Sequence, residues 1–448
     1  MSVRIRFTRL LLGVSWSLSC LLAAVGVLAQ EFTGSEPVVF NPDTSWCWFQ
    51  DNRAILDDDR LLLSGVSSRG DVTVAVYDSR TGESAVHVLH SRLEADDHNA
   101  AALLILPDGR YLVVYTKHGS DSFTRWRISK HPGDASRWEP ERRFDNQAGA
   151  TYSNVYRMAS EGENGRIYNF TRTLDRDPNF LVSDDHGASW RYGGRLLDSG
   201  DRLARPYVRY AGNGVDTIHF ITTEDHPNRF NTGIYHGMIR GKKAYRSDGT
   251  AVNEDIFRVG APRPSAFTRV FEGDPENVAW TSDIELDREG RPYVVFSVMK
   301  DALPRESGKR GFDHRYHYAK WDGTCWRERE IARAGSRLYP REPEYTGLIA
   351  LHPRRPELVF LSADVHPASG EPLLVDGKRR YEIFQGATPD GGETWSWTAV
   401  TTDSAQDNLR PIVVAQKDIW VLAWLRGEYR TYTDYSQEAV GFVFREVR

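Results

Sequence analysis

A polar turn followed by an apolar strand of about six residues recurs seven times in this 448-residue chain, and no other feature restricts its fold as strongly. The first copies are Asp59-Arg60-Leu61-Leu62-Leu63-Ser64 and Asp108-Gly109-Arg110-Tyr111-Leu112-Val113-Val114-Tyr115. The series continues with Gly165-Arg166-Ile167-Tyr168, Val215-Asp216-Thr217-Ile218 and Gly290-Arg291-Pro292-Tyr293. It ends with Pro356-Glu357-Leu358-Val359 and Lys417-Asp418-Ile419-Trp420. The mean spacing is about sixty residues, close to the length of a long propeller blade. No segment carries a long, capped pattern of period 3.6. The expected class is all-β: a seven-bladed β-propeller of four-stranded blades, with residues 30–448 as one domain.

A second repeat supports this. Ser183-Asp184-Asp185-His186-Gly187-Ala188-Ser189-Trp190 fits S-x-D-x-G-x-x-W, and Thr388-Pro389-Asp390-Gly391-Gly392-Glu393-Thr394-Trp395 fits it with Thr for Ser. This is the Asp box, a hairpin turn between outer blade strands. Its Asp side chain bonds turn N–H groups, Gly supplies φ > 0 and Trp packs between strands. Two matches point to a sialidase-like propeller; they say little about chemistry.

Residues 1–29 read as a secretory signal peptide. Arg4, Arg6 and Arg9 precede an apolar run from Leu10 to Leu28, and Val27-Leu28-Ala29 offers a small-residue cleavage site. A lipoprotein anchor at Cys20 is disfavoured because that cysteine sits inside the apolar run. The expected location is secreted or periplasmic after cleavage near Ala29. No other stretch has ~18 uninterrupted apolar residues, so no membrane span is expected. Lys plus Arg total 57 against 62 for Asp plus Glu, a net charge of −5; removing the three leader arginines gives −5 − 3 = −8. A nucleic-acid binder would carry a basic excess. An aromatic content of 12% argues against disorder. Cys47 and Cys325 are expected as two buried thiols, since sequence gives no geometry for pairing.

Two hairpins carry candidate chemistry. With a turn centred near Asp108, His98 and His118 face each other at the open end of the first. With a turn centred near residue 164, Tyr156 and Arg172 do so in the second. As inner strands of adjacent blades, the two hairpins would gather all four side chains at one mouth of the central channel. A one-residue slip would separate either pair. The set suits β-elimination on a uronic acid. A fixed Arg binds and neutralises the C6 carboxylate, which makes the C5 proton removable. His, with an ordinary pKa of about 6.5, is suited as the base. Tyr serves if nearby cations stabilise its phenolate, and it can also protonate the leaving O4. The long stretch 224–280 is expected to wall the cleft.

The chain resembles the BNR-repeat polysaccharide lyases, which include secreted ulvan lyases and lyases of rhamnosyl–glucuronate linkages. The resemblance runs from Trp46 to about Phe442. Its carriers are Asp97-His98-Asn99, Tyr115-Thr116-Lys117-His118, the Tyr156 and Arg172 pair, Arg205-Pro206-Tyr207 and His226-Pro227. Further carriers are His314-Arg315-Tyr316 before Trp321-Asp322-Gly323, Asn408-Leu409-Arg410-Pro411, and Trp424-Leu425-Arg426-Gly427 before Tyr429. The resemblance implies cleavage of a uronate polysaccharide of the ulvan type, leaving a 4,5-unsaturated uronate end. Arg172 would neutralise the carboxylate with His118 assisting, and His98 and Tyr156 would share the base and acid roles. Asn99, Arg205, Tyr207 and His226 would bind substrate.

That chemistry requires no cofactor. Some members hold a structural zinc through His and Cys, but Cys325 with His314 and His317 cannot supply a two-cysteine site. A structural zinc or calcium stays open, and no EF-hand loop is visible. The expected partner is an anionic polysaccharide, bound by a monomer. Two alternatives stand beside the lyase reading. One is a non-catalytic carbohydrate-binding propeller. The other is a sialidase-like glycoside hydrolase, whose Arg-Ile-Pro segment is missing here.

Overall fold

In the computed structural model, which describes residues 36–200, 203–258, 260–306 and 308–446, seven antiparallel sheets follow one another along the chain. The expected signal peptide, its cleavage point and Cys20 lie outside the described residues. The blades span 54–90, 102–145, 151–195, 208–271, 278–335, 349–399 and 408–445. Each recurrent turn-plus-strand segment supplies the second strand of one blade: Arg60–Val66, Tyr111–Tyr115, Arg166–Arg172, Thr217–Thr222, Pro292–Met299, Leu358–Ala363 and Ile419–Thr431. These strands are covered on both faces by neighbouring blades, so they read as continuous apolar runs. Every residue of Pro292–Met299 and Leu358–Ala363 is buried. The outermost strand Glu83–His90 buries only Leu89. The seventh blade is closed by Val38–Asn41, antiparallel to Asp434–Arg445 with Val38 opposite Gly441.

Turn chemistry fixes the hairpins. At Pro107-Asp108-Gly109, Gly109 takes φ +79°, and Asp108 accepts the Arg110 amide at 3.0 Å. The octapeptides 183–190 and 388–395 each join the third and fourth strands of a blade. Asp185 accepts the Ser189 amide and Asp390 the Thr394 amide, both at 2.9 Å. Most of the stretch 224–280 does not wall a cleft. Ile234–Arg240 pairs with Thr217–Thr222, then with Lys243–Arg246 and Thr268–Phe271, and so builds the outer part of the fourth blade. Both cysteines are free; Cys47 is buried, whereas Cys325 is only half-buried in the 322–325 turn. Among the described residues, no helix is long and apolar enough to cross a membrane.

The middle of the ring is filled by Trp46-Cys47-Trp48-Phe49-Gln50-Asp51-Asn52-Arg53, the link between the closing strand and the first blade. This plug bonds to nearly the whole circle. Gln50 Nε2 donates to His98 O at 2.6 Å, Asp51 N to Asn154 Oδ1 at 3.1 Å and Trp48 Nε1 to Thr346 O at 2.6 Å. Arg209 and Arg410, from the fourth and seventh blades, both donate to Gln50 O. Phe49 stacks on Trp280 with ring centroids 3.7 Å apart. Burying Trp46, Trp48 and Phe49 contributes about 1.5–3 kcal/mol each. Arg209 is 1% exposed and lies 3.4 Å from both Asp51 and Asp283. Removing one member of such a group leaves buried charge uncompensated. Arg209→Met should therefore destabilise the protein by about 3–5 kcal/mol, read as a lower urea midpoint. An unchanged midpoint would show that the plug does not depend on this cation.

Candidate active site

The register of the second blade sets the first pair. Ala102 lies opposite Val114 and Ile105 opposite Tyr111, which centres the hairpin on residue 108. His98 and His118 meet as expected, their rings 10° from parallel with centroids 3.6 Å apart. Asp96 bridges them. It caps the short turn Asp97–Asn99; its Oδ1 accepts His98 N at 3.0 Å and His98 Nδ1 at 2.7 Å, and its Oδ2 accepts His118 Nδ1 at 3.0 Å. Asp97 Oδ1 lies 2.9 Å from His98 Nδ1, and its Oδ2 accepts the Tyr429 hydroxyl at 2.9 Å. These contacts assign the hydrogen of each ring to Nδ1, so neutral His118 keeps a lone pair on Nε2.

The two imidazoles are driven apart in basicity. Burial works against a charge on His98, but its interactions with Cys47, Tyr152, Asp96 and Asp97 outweigh burial and hold its pKa well above the ordinary value. Burial and the adjacent His98 charge push His118 down to about 4. Burial likewise opposes ionisation of Asp96, yet the His98 charge and the imidazole hydrogen bonds hold it well below the usual carboxylate range. The result at neutral pH is an anion, a buried cation and a neutral ring.

The third blade departs from the expected register. Tyr156 pairs with Tyr168, not with Arg172, and Met158 pairs with Arg166, so the loop 159–165 is centred on 162 rather than 164. The loop starts early because the Ala159 and Ser160 amides bond outward, to Gly214 O and Val215 O of the next blade. Tyr156 therefore lies away from the histidines, its hydroxyl held between Asp51 Oδ2 at 2.6 Å and Tyr210 O at 2.8 Å. It lines a separate funnel of about 530 Å³ with Arg53 and Glu285.

A bulge between Thr151 and Asn154 brings Tyr152 to the place expected for Tyr156. Tyr152 has φ +62°, a left-handed backbone uncommon for a non-glycine residue. The Arg172 guanidinium is sandwiched by tyrosines, 4.7 Å from the Tyr152 ring centroid and 4.4 Å from that of Tyr207. Its Nη2 donates to Pro206 O at 3.3 Å, while its buried Nε has no partner. Burial opposes its charge, but Tyr207 and Tyr152 more than offset this and raise its pKa. Tyr152 also packs on both imidazoles, with centroids 5.3 Å from His98 and 6.2 Å from His118. Burial keeps its phenol well above the ordinary pKa.

A cleft of about 510 Å³ opens over this group, lined by His118, Thr151, Arg172, Arg176 and Arg205. Arg205 has a buried Nε without a partner. Tyr207 is a support for Arg172, and His226 packs edge-on against Tyr207 with centroids 5.3 Å apart. Asn99 does not fit its expected role as a substrate contact. It is fully buried, and its amide donates to Glu94 O at 3.2 Å and Glu94 Oε2 at 3.3 Å. The same Oε2 accepts the His118 amide, so Asn99 braces the two histidine loops. Sequence reasoning missed Asp96 and Tyr152, which sit two and four residues from positions it did choose. It also missed Tyr432, whose ring stands edge-on to both imidazoles at 5.2 and 5.4 Å. That residue arrives from the seventh blade, and no local signal marks it.

Two donor groups are close enough to share a cation: Cys47–Asp97–His98 and Asp96–His98–His118, each within 4.8 Å. Both need His98, whose Nδ1 is already joined to carboxylate oxygens at 2.7 and 2.9 Å. The donors fit a hydrogen-bonded relay better than an ion. The zinc considered near Cys325 has no such cluster among the described residues; His314 Nε2 lies 2.8 Å from Pro343 O, and His317 Nδ1 is paired with Glu328.

The fold has solved counterparts. A structure of the PL25 ulvan lyase bound to -[GlcA(1-4)Rha3S]- matches with a TM-score of 0.65 at 16% identity, covering 91% of this chain and 96% of that one. The polysaccharide lyase Uly1 matches with a TM-score of 0.55 at 11% identity, covering 88% of this chain and 90% of that one. At these identities the likeness establishes a common fold. No curated protein matches the sequence. A family model described as BNR repeat-containing family member matches residues 62–334, more than half of the chain, and the protein belongs to that family.

Proposed function

We propose that the protein is a secreted polysaccharide lyase that cleaves a uronate-containing chain by β-elimination. The observation that carries this reading is the Arg172 cation, fixed between two tyrosine faces beside a neutral His118 that stacks on a cationic His98. Arg172 takes the C6 carboxylate and so acidifies the C5 proton. Nε2 of His118 removes that proton, the C4–O4 bond breaks as the C4–C5 double bond forms, and the Tyr152 hydroxyl protonates O4. The arriving carboxylate offsets the charges of Arg172 and His98, which raises the basicity of His118 when it is needed. His98 is 2% exposed and acts behind His118, through Asp96, rather than on substrate.

The finer reading is an ulvan-type chain of rhamnose with glucuronate or iduronate. The common fold with an ulvan lyase supports it, as does the cationic cleft on a chain of net negative charge. The leader-like first 29 residues support secretion, and the protein is proposed to act as a monomer without a cofactor.

Absorbance near ~235 nm should rise when the protein meets ulvan, since only elimination creates the conjugated double bond. Binding without absorbance would instead favour a carbohydrate-binding propeller, and new reducing ends without absorbance a hydrolase. Tyr152→Phe and Arg172→Ala should each lower kcat by about 10²–10⁴-fold, whereas Tyr156→Phe should leave turnover nearly intact. The opposite order for the two tyrosines would overturn the assignment of Tyr152. In a pH profile, kcat/KM should rise as His118 loses its proton near pH 4, and fall only when His98 deprotonates, well above its ordinary 6.5. Asp96→Asn removes an anion that favours the imidazolium, so the alkaline limb should move to lower pH. An unmoved limb would exclude His98 as its source.

A further inference from the structure

Facing the arginines, the mouth also carries an acid that the proposed reaction does not use. Glu342 lies in the link 336–348 between the fifth and sixth blades, and a β-bridge joins it to Tyr339. Its Oε2 is buried without a hydrogen-bond partner, 3.7 Å from Nε2 of His226. His226 accepts the Asn228 amide on Nδ1, so Nε2 holds the hydrogen and faces the carboxylate. The charges that Glu342 feels most are Arg205, which lines the cleft, then His98 and Arg310. The Tyr339 hydroxyl is also buried without a partner, within the fields of Glu342, Asp97 and His98. Buried polar atoms without partners at a mouth mark places where a bound molecule completes the hydrogen bonding.

The two walls therefore have opposite chemistry. Arg172, Arg176 and Arg205 suit an anion. Glu342 and Tyr339 suit hydroxyl groups: a carboxylate accepts from one or two of them, and a phenol donates or accepts. A second uronate placed against Glu342 would meet a like charge in a partly dry site, a repulsion that discriminates without any new attraction. We infer that Glu342, with Tyr339, is a specificity-determining subsite that holds a neutral sugar beside the reacting uronate and rejects chains made of uronate alone. This inference rests on the lyase reading for the identity of the reacting sugar.

The test compares wild type with Glu342→Gln, which keeps size and shape, on ulvan and on β-1,4-polyglucuronate. Elimination is read by absorbance, and oligosaccharide affinity is read by calorimetry in a His118→Ala background. Wild type should prefer the alternating chain, and Glu342→Gln should cut that preference at least ~10-fold, the size expected for one charged hydrogen bond. The loss should come from weaker binding of the alternating oligosaccharide and tighter binding of the homopolymer. Tyr339→Phe should weaken the alternating oligosaccharide alone. Absorbance with an unmoved preference in Glu342→Gln would overturn the subsite and leave the lyase reading intact. No absorbance on either polymer, with an affinity preference that Glu342→Gln removes, would overturn the lyase reading and leave the subsite.

Discussion

The Arg209 cation, held between Asp51 and Asp283 in the dry middle of the ring, is the interaction on which the arrangement depends. A propeller leaves a channel along its axis, and here the segment 46–53 fills it. A polar backbone cannot cross such a space unless its donors and acceptors are met. Arg209 and Arg410 both donate to Gln50 O, and Arg53 donates to Ser153 O. Gln50 in turn donates to the carbonyl of His98. The segment that seals the channel therefore also anchors the first residue of the candidate site. Tyr156 belongs to this network through Asp51, which is why its hydroxyl serves the core and not the mouth.

At the mouth, one carboxylate organises two rings. Asp96 takes hydrogen bonds from both Nδ1 atoms, so neither ring can turn and each keeps a defined tautomer. Stacking at 3.6 Å then makes a second positive charge costly. Burial decides which ring carries the charge, because His98 has Asp97 as a second carboxylate and His118 is exposed to the Arg172 field. The same economy appears at Arg172. Its two tyrosine faces stabilise the cation while using few of its N–H groups, which leaves donors for an incoming carboxylate.

The legibility of the two hairpins differed for a physical reason. In the second blade the Pro107-Asp108-Gly109 turn is short and closed by its own residues, so strand register follows from local chemistry, and the His98 and His118 pairing could be read. In the third blade the loop 159–165 is pinned by the neighbouring blade, and a bulge sits at the other end of the strand. Neither event leaves a local mark, and a two-residue error in the centre of the turn exchanged Tyr152 for Tyr156. Asn99 failed differently. Its sequence position beside His98 suggested exposure to substrate, but the tight turn 97–99 directs it inward to Glu94.

By itself the sequence determined the all-β class, the seven repeats, the second strand of every blade and one of the two side-chain pairs. These follow from periodicity and turn residues, which act over fewer than about ten residues and so can be read along the chain. Only the tertiary structure decided what fills the channel, which tyrosine meets Arg172, and that Tyr432, Tyr339 and Glu342 stand at the same mouth. Those outcomes depend on contacts between blades far apart in sequence, where the energy of burying charge and closing the ring outweighs local preference.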